Sequence, residues 1–168
     1  MSNHPKITIR QATLDDLPAL CKLRNTKNLF EGYLEECDGI SAYFLVAEVA
    51  ENLAGFGLIY LSTTKTGKTK SHLPKLSDLY VGENYRRMGI ATALIEARES
   101  IAKTYGHQQM YVSIDPTESA EMMNLVKKLG YQTLQDIPYA VTATFYDDNN
   151  RAFDKRYYRL DFIKSLNE

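Results

Sequence analysis

The stretch Leu76-Ser-Asp-Leu-Tyr-Val-Gly-Glu-Asn-Tyr-Arg-Arg-Met-Gly-Ile-Ala-Thr-Ala-Leu94 decides how this chain is read. A β-type run ends at Val81. A short polar turn follows, then Arg86-x-x-Gly89-x-Ala91, and an amphipathic helix opens near Ile90. The first amides of a helix have no intrahelical acceptor, and the helix dipole places partial positive charge at the same end. Arg86 and Arg87 add charge-assisted donors. Gly89 lets the backbone come close without a Cβ in the way, and Ala91 is small for the same reason. Strand, basic glycine-bearing turn and helix N-terminus together predict an anion site. The anion that matches is a pyrophosphate, so the stretch points to a nucleotide-type cofactor.

Outward from this segment, the apolar periodicity predicts strands at residues 7–11, 43–49, 53–61, 76–81 and 110–114, a strand opening at Tyr131, and a last strand at 157–163. Helices are predicted from Thr13 as N-cap, over 28–37, over 90–105 and over 119–129. In the third, Ile90, Leu94, Ala97, Ile101 and Tyr105 fall at helical spacing. Gly106 and Gly130 end the last two. Gly55 and Gly57 inside a strand predict a bulge or a close backbone approach. Residues 62–75, rich in Thr, Lys, Gly and Ser, read as a mobile, solvent-facing polar loop. The order β-α-α-β-β-β-α-β-α-β-β is that of an α/β (α+β layered) fold, a mixed and mostly antiparallel sheet flanked by helices.

A chain of 168 residues suits one domain, here 1–168 with its core at about 6–164. A hydrophobic share of 44% supplies that core, and a net charge of −1 leaves no basic excess to hold nucleic acid or a membrane surface. No run approaches a membrane span, and the opening Met1-Ser-Asn-His-Pro-Lys6 has no apolar signal segment, so the cytoplasm is the expected compartment. Cys21 and Cys37 read as small buried hydrophobes. With His4, His72 and His107 scattered, no metal-ligand spacing is present.

Residues 81–94 resemble the acetyl-CoA segment of the Gcn5-related N-acetyltransferase (GNAT) superfamily, with its Gln/Arg-x-x-Gly-x-Gly/Ala loop. Leu125-Val-Lys-Lys-Leu-Gly-Tyr131 resembles a later family signature at a helix end, and Ile7-Thr-Ile-Arg-Gln-Ala-Thr-Leu-Asp-Asp-Leu17 is typical of its first strand and helix. The predicted element order matches that acyl-CoA N-acyltransferase fold over essentially the whole chain. The resemblance implies acetyl-CoA as co-substrate and direct transfer of acetyl to a primary amine of a small molecule or peptide. It implies that backbone groups of Leu79 and Val81 pair with the pantetheine arm, and that Arg86, Arg87, Met88, Gly89, Ile90, Ala91 and Thr92 hold the pyrophosphate. It implies that an amide near Val81 polarises the thioester carbonyl. A homodimer is compatible with it.

The sequence also departs from the family. A tyrosine that serves many members as general acid corresponds to Val126, which cannot donate a proton, and a cofactor-contacting asparagine corresponds to Ser119. Thiolate is a tolerable leaving group, with a thiol pKa of about 8–9, so transfer does not require that acid. Tyr111, Tyr131 and Tyr139 are substitutes among which nothing in the sequence selects. Asp78 is the candidate general base, on the strand that carries the thioester, with alternation turning it to the face opposite Leu79 and Val81. Asp115 reads as the cap of the turn before Pro116. Glu31, Glu35, Glu36 and Asp38 read either as a solvated helix face or as an acidic border favouring a cationic acceptor. Lys65, Lys68 and Lys70 read as solvation. The rival readings are a CoA-binding regulatory domain of the same fold, which Val126 favours, and a transferase acting on charged tRNA, against which the near-neutral charge counts.

Overall fold

The computed structural model describes residues 5–61 and 73–167. His4, His72 and the loop lysines Lys65, Lys68 and Lys70 lie outside the described residues.

Strand β1 (Ile7–Gln11) leads into a 3-10 turn at Leu14–Asp16, where Asp16 accepts the Thr13 N–H at 2.8 Å. Helices α1 (Leu17–Leu23) and α2 (Lys27–Glu36) follow. Strands β2 (Ala42–Val49), β3 (Asn52–Tyr60) and β4 (Lys75–Val81) continue the sheet. Then come α3 (Ile90–Thr104), β5 (Gln109–Ile114), α4 (Ala120–Lys128), β6 (Gln132–Thr133), β7 (Tyr139–Tyr146) and β8 (Ala152–Ser165). The sheet order is β1-β2-β3-β4-β5-β8-β6, with β7 paired to β8, and every neighbouring pair is antiparallel except β4–β5.

Each face of the sheet has its own core. Phe44, Phe56, Leu58 and Tyr60 pack with Leu20, Phe30 and Tyr33 of α1 and α2. Ile59 and Leu76 pack with Ile95 and Ala102 of α3, Val126 of α4 and Phe162. Alternate residues of β3 therefore serve opposite cores, as the two-residue strand period requires. Phe30 is fully buried, with Phe56 edge-on at 5.1 Å between ring centroids. Its removal to alanine costs about 3–5 kcal/mol. Cys21 and Cys37 are half-buried free thiols at the edge of this core.

Three expectations are corrected. Strand β7 was absent from the sequence reading, and β8 begins at Ala152 rather than Tyr157. The two form a long hairpin paired along its length; β7 turns Ala140, Thr142 and Thr144 outward, and the early part of β8 is charged at Asp154, Lys155 and Arg156. Tyr131 precedes β6 and is buried, not a strand residue. The α3 stripe is also wider than Ile90-Leu94-Ala97-Ile101. The helix buries Ile95, Arg98, Glu99 and Ala102 as well, while Tyr105 beyond its end is 49% exposed. A buried arginine and glutamate do not register in a count of apolar positions.

Both glycines of β3 mark close approaches. A Cβ on Gly55 would lie 2.6 Å from the Tyr80 carbonyl oxygen, and one on Gly57 would lie 2.9 Å from the Arg98 guanidinium carbon. The register with β4 slips beside Gly57, where Asp78 is the extra residue and takes a left-handed φ of 35°.

Candidate active site

The turn between β4 and α3 has the conformation that its sequence predicts. Arg87 and Gly89 adopt left-handed φ values of 65° and 85°. Their alternation with Met88 turns successive amides toward one side, the concave geometry that binds anions. The N-cap Gly89 has no side chain to cap α3, so, among the described residues, the amides of its first turn keep their hydrogens free. A Cβ on Gly89 would meet nothing within 4 Å, which leaves open space over those amides. Arg86 is partly committed: its Nε donates to the Val81 carbonyl at 3.1 Å, and its guanidinium sits 5.8 Å from the Tyr80 ring centroid. Met88 is 40% exposed and, unlike Arg86, Arg87, Gly89, Ile90, Ala91 and Thr92, is not among the residues that line the cleft beside the turn.

This turn forms one wall of a cleft of about 920 Å³, with Ser119, Met122 and Leu125 of the α4 side opposite. The cleft exists because β4 and β5 separate. They pair only at Lys75–Tyr111 and Leu76–Val112. Beyond Leu76 the outer edge of β4 has no strand partner among the described residues. The Gly82 amide donates to Ala54 of β3 at 2.7 Å, and the Tyr80 carbonyl approaches Gly55. Strand alternation then turns the backbone groups of Leu79 and Val81 away from β3, into the gap.

The gap ends in an inner cavity of about 220 Å³ that shares Leu79, Ser119 and Met122 with the outer cleft. Val126 lines it and is fully buried. Asp78, Asp115, Arg98 and Arg159 line it too. Open helix amides, an unobstructed glycine turn and a free strand edge in one channel fit a ligand with a pyrophosphate head and an amide-bearing arm.

Asp78 lies where the sheet meets α1 and α2. The bulge puts Leu79 and Val81 against the α3 side and Asp78 on the other. Arg24, at the end of α1, donates to both Asp78 oxygens at 3.2 and 2.7 Å, and the Tyr33 hydroxyl of α2 donates to Oδ2 at 2.8 Å. Burial opposes the charge on Arg24, but Asp78 outweighs it and the guanidinium pKa rises. Burial, and then Asp78, raise that of the Tyr33 phenol. Arg24 also lies over the Phe56 ring at 5.0 Å. Neither Arg24 nor Tyr33 was a sequence candidate. They stand 54 and 45 residues from Asp78, and no local pattern joins them.

The expected acidic border divides in the structure. Glu35 and Glu36 line a pocket of about 410 Å³ with Tyr33 and, across from α2, Tyr146 of β7. Glu36 accepts the Tyr60 hydroxyl at 2.8 Å. Glu31 pairs with Lys27 at 3.6 Å. Asp38 instead closes the turn into β2, accepting the Ile40 and Ser41 amides at 2.8 Å, which hold its pKa down at about 2. Asp115 caps its turn as expected, accepting the Thr117 amide at 2.9 Å. Tyr131 is turned into the core, its hydroxyl 3.2 Å from Glu99, and Tyr139 donates to Asp161 at 2.7 Å. Tyr111 is buried in β5. None of these three lines the channel.

The β7–β8 hairpin reaches across to α1 and α2. Asn25 donates to the Asp148 carbonyl at 2.6 Å, and Asn150 accepts the Asn28 amide at 3.1 Å. Thr26, the N-cap of α2, makes no side-chain cap bond, so the hairpin tip supplies one from outside.

A strand edge opened beside its parallel neighbour, ending at a helix N-terminus with a glycine turn, agrees with the class of acyl-CoA transferase folds that the sequence resembles. The comparisons place the chain within that class. The family model described as "Acetyltransferase (GNAT) family" matches residues 9–131. An N-alpha-acetyltransferase of Sulfurisphaera tokodaii is 30% identical over 86% of this chain and 89% of its own. Among solved structures, the ribosomal-protein-S18-alanine N-acetyltransferase of Escherichia coli aligns at a TM-score of 0.68 and 14% identity, covering 97% of this chain and 96% of its own. An N-acetyltransferase of Staphylococcus aureus Mu50 aligns at 0.69 and 19%, covering 96% and 99%. The chain belongs to the GNAT family of acetyltransferases. It is an N-acetyltransferase, and acetyl-CoA is its acetyl donor.

Proposed function

We propose that this enzyme acetylates the α-amine of a peptide, taken up between α2 and the β7–β8 hairpin. The observation that carries this reading is that the cleft at the α3 amides adjoins the cavity beside Asp78, the two sharing Leu79, Ser119 and Met122. The name of the 30% identical relative supports the choice of a peptide α-amine over a small-molecule amine. The glutamates and tyrosines between α2 and Tyr146 suit a cationic acceptor.

Acetyl-CoA brings an activated thioester, whose acetyl group passes to the amine without an enzyme-bound intermediate. In this reading the amides of Arg87 to Thr92 hold the pyrophosphate, with Ser119 across the cleft. The backbone of Leu79 and Val81 pairs with the arm, and the Val81 amide polarises the carbonyl. Asp78 receives the proton of the attacking ammonium, directly or through water. A carboxylate has about four lone-pair sites. Arg24 and Tyr33 occupy three of these, which fixes the group's orientation and leaves one side toward the cavity. Val126 supplies no proton to the leaving thiolate.

The test is acetyl transfer from acetyl-CoA to a panel of short peptides with free or blocked N-termini, with polyamines for comparison. Product mass and thiol release are the readouts. Transfer confined to free peptide N-termini is the expected result. Transfer to polyamines alone would move the acceptor to the small-molecule class. CoA binding without turnover on any amine would leave the regulatory reading.

A further inference from the structure

A guanidinium with spare donors is buried in the wall of the inner cavity. Arg98 of α3 is only 1% exposed. Its Nε donates to the Leu94 carbonyl at 3.0 Å, and its Nη1 to the carbonyls of Leu58 at 2.8 Å and Ser77 at 3.2 Å. These bonds tie the helix to the bulge that presents Asp78. They use the hydrogens of Nε and Nη1. Those of Nη2 have no acceptor among the described residues, although no fully buried polar side-chain atom there is left unbonded. Nη2 therefore faces the cavity that Arg98 lines. Gly57 makes room for the group, because any side chain there would strike it.

An arginine buried without a carboxylate on it costs free energy unless something else uses its charge. Burial pushes its pKa down to about 10. The other charged groups around it are spoken for. Asp78 is held by Arg24 and Tyr33, and Glu99, the next residue of α3, pairs with Lys164 at 2.7 Å and with Tyr131. Asp115 is bonded within its turn. Arg159 is half-buried, stacked 4.8 Å from the Tyr157 ring centroid and bonded to its hydroxyl. Lys75 also lines the cavity, from β4, and has bonding of its own. Arg98 is the cation at full burial, where a charge acts most strongly.

We propose that Arg98 is a catalytic residue that stabilises the departing CoA thiolate through Nη2, from the α3 wall and without transferring a proton. The proposal rests on reading the cleft as the acetyl-CoA site. The amine nitrogen bonds to the acetyl carbon, the carbon–sulfur bond breaks, and its electron pair stays on sulfur. The acceptor ammonium gives one proton to Asp78, directly or through water, before its nitrogen attacks, and the second proton on nitrogen leaves to water as the amide forms. The Nη2 hydrogens meet the sulfur as its charge forms, which lowers the barrier as any preplaced donor does. The sulfur later takes a proton from water.

The experiment measures the ionisation of bound CoA, with turnover set aside. Thiolate absorbance in the ultraviolet, followed against pH with wild-type protein in excess, gives the pKa of the bound thiol. Desulfo-CoA serves as the control ligand. The thiol of bound CoA is expected at least about one unit below the range of about 8–9 for a free thiol, and CoA is expected to bind about tenfold more tightly than desulfo-CoA at the higher pH. Arg98→Met is expected to return the thiol to its free value and abolish the preference while desulfo-CoA still binds. Arg98→Lys, which keeps a charge, should fall between. A wild-type thiol that titrates at or above the free value overturns the proposal without any variant, and so does a shift that survives in Arg98→Met. Failure to bind either CoA or desulfo-CoA would overturn the cofactor reading itself. Equal binding of both with an unshifted thiol would overturn Arg98 alone.

Discussion

The α3 side of the channel and the α2 side are built by different means. On the α3 side, one unbroken stretch from β4 into α3 presents backbone amides, a left-handed glycine and a free strand edge. On the α2 side, Arg24, Tyr33, Asp78, Tyr146 and Asn150 come from five separate elements or loops and act through side chains. In the proposed reading, groups that every nucleotide-type ligand shares would be met by backbone, which a short motif can encode. The acceptor would be met by side chains brought together only by folding.

The difference gives an order of expected effects. Gly89→Trp strikes the backbone-built side. Two or more charge-assisted bonds lost, at about 1.5–3 kcal/mol each, weaken acetyl-CoA binding by about 100-fold or more. A non-glycine residue in the left-handed region costs about 1–2 kcal/mol, so the variant still folds with a lowered Tm. Unchanged affinity by calorimetry would show that the turn does not hold the pyrophosphate.

Asp78→Asn strikes the side-chain-built side. The expected loss is about 100-fold in kcat, the lower end for a general base, with acetyl-CoA affinity retained and the acidic limb of the pH–rate profile removed. A profile like that of the wild type would remove Asp78 as base and leave the acceptor side with a binding role only.

The hairpin tip gives a smaller effect. Asn150→Ala removes the outside cap of α2 and costs about 1 kcal/mol. Combined with Asn25→Ala, it is expected to raise KM for the acceptor several-fold while KM for acetyl-CoA stays constant. A rise in both would mean that the two sides are not separable.

The smallest effect separates structural acids from acceptor-facing ones. The Asp38 carboxylate is held below its ordinary pKa by the Ile40 and Ser41 amides. Its contribution is therefore present above the unfolded pKa of about 3.9 and lost as pH falls toward about 2. Asp38→Asn should lower Tm slightly at neutral pH, with the gap to wild type closing below pH 4, and leave acceptor KM alone. A KM change would put Asp38 back in the acceptor border.

What the sequence disclosed follows the same division. Strand β4, the turn and α3 were legible to within a residue, because apolar period, glycine and arginine sit in one window. The bulge and close approaches at Gly55 and Gly57 were legible too. Asp78 was legible as a position, and its partners were not, because nothing in residues near Arg24 or Tyr33 points to β4. Strand β7 went unread although its sequence, Tyr139-Ala-Val-Thr-Ala-Thr-Phe-Tyr146, is rich in strand-forming residues, and Arg98 because a buried guanidinium looks like a solvated one in a helical pattern. Its companion signal was in the sequence all the same: Gly57, the small residue that gives it space.

In the proposed complex the acetyl-CoA arm lies along the open edge of β4. Amide hydrogen exchange, with and without acetyl-CoA, tests this at residue level. Added protection is expected at Leu79, Val81 and the amides of Arg87 to Thr92, with little change across α2 and the β7–β8 hairpin. Saturating acetyl-CoA that leaves Leu79 and Val81 exchanging as before would contradict it.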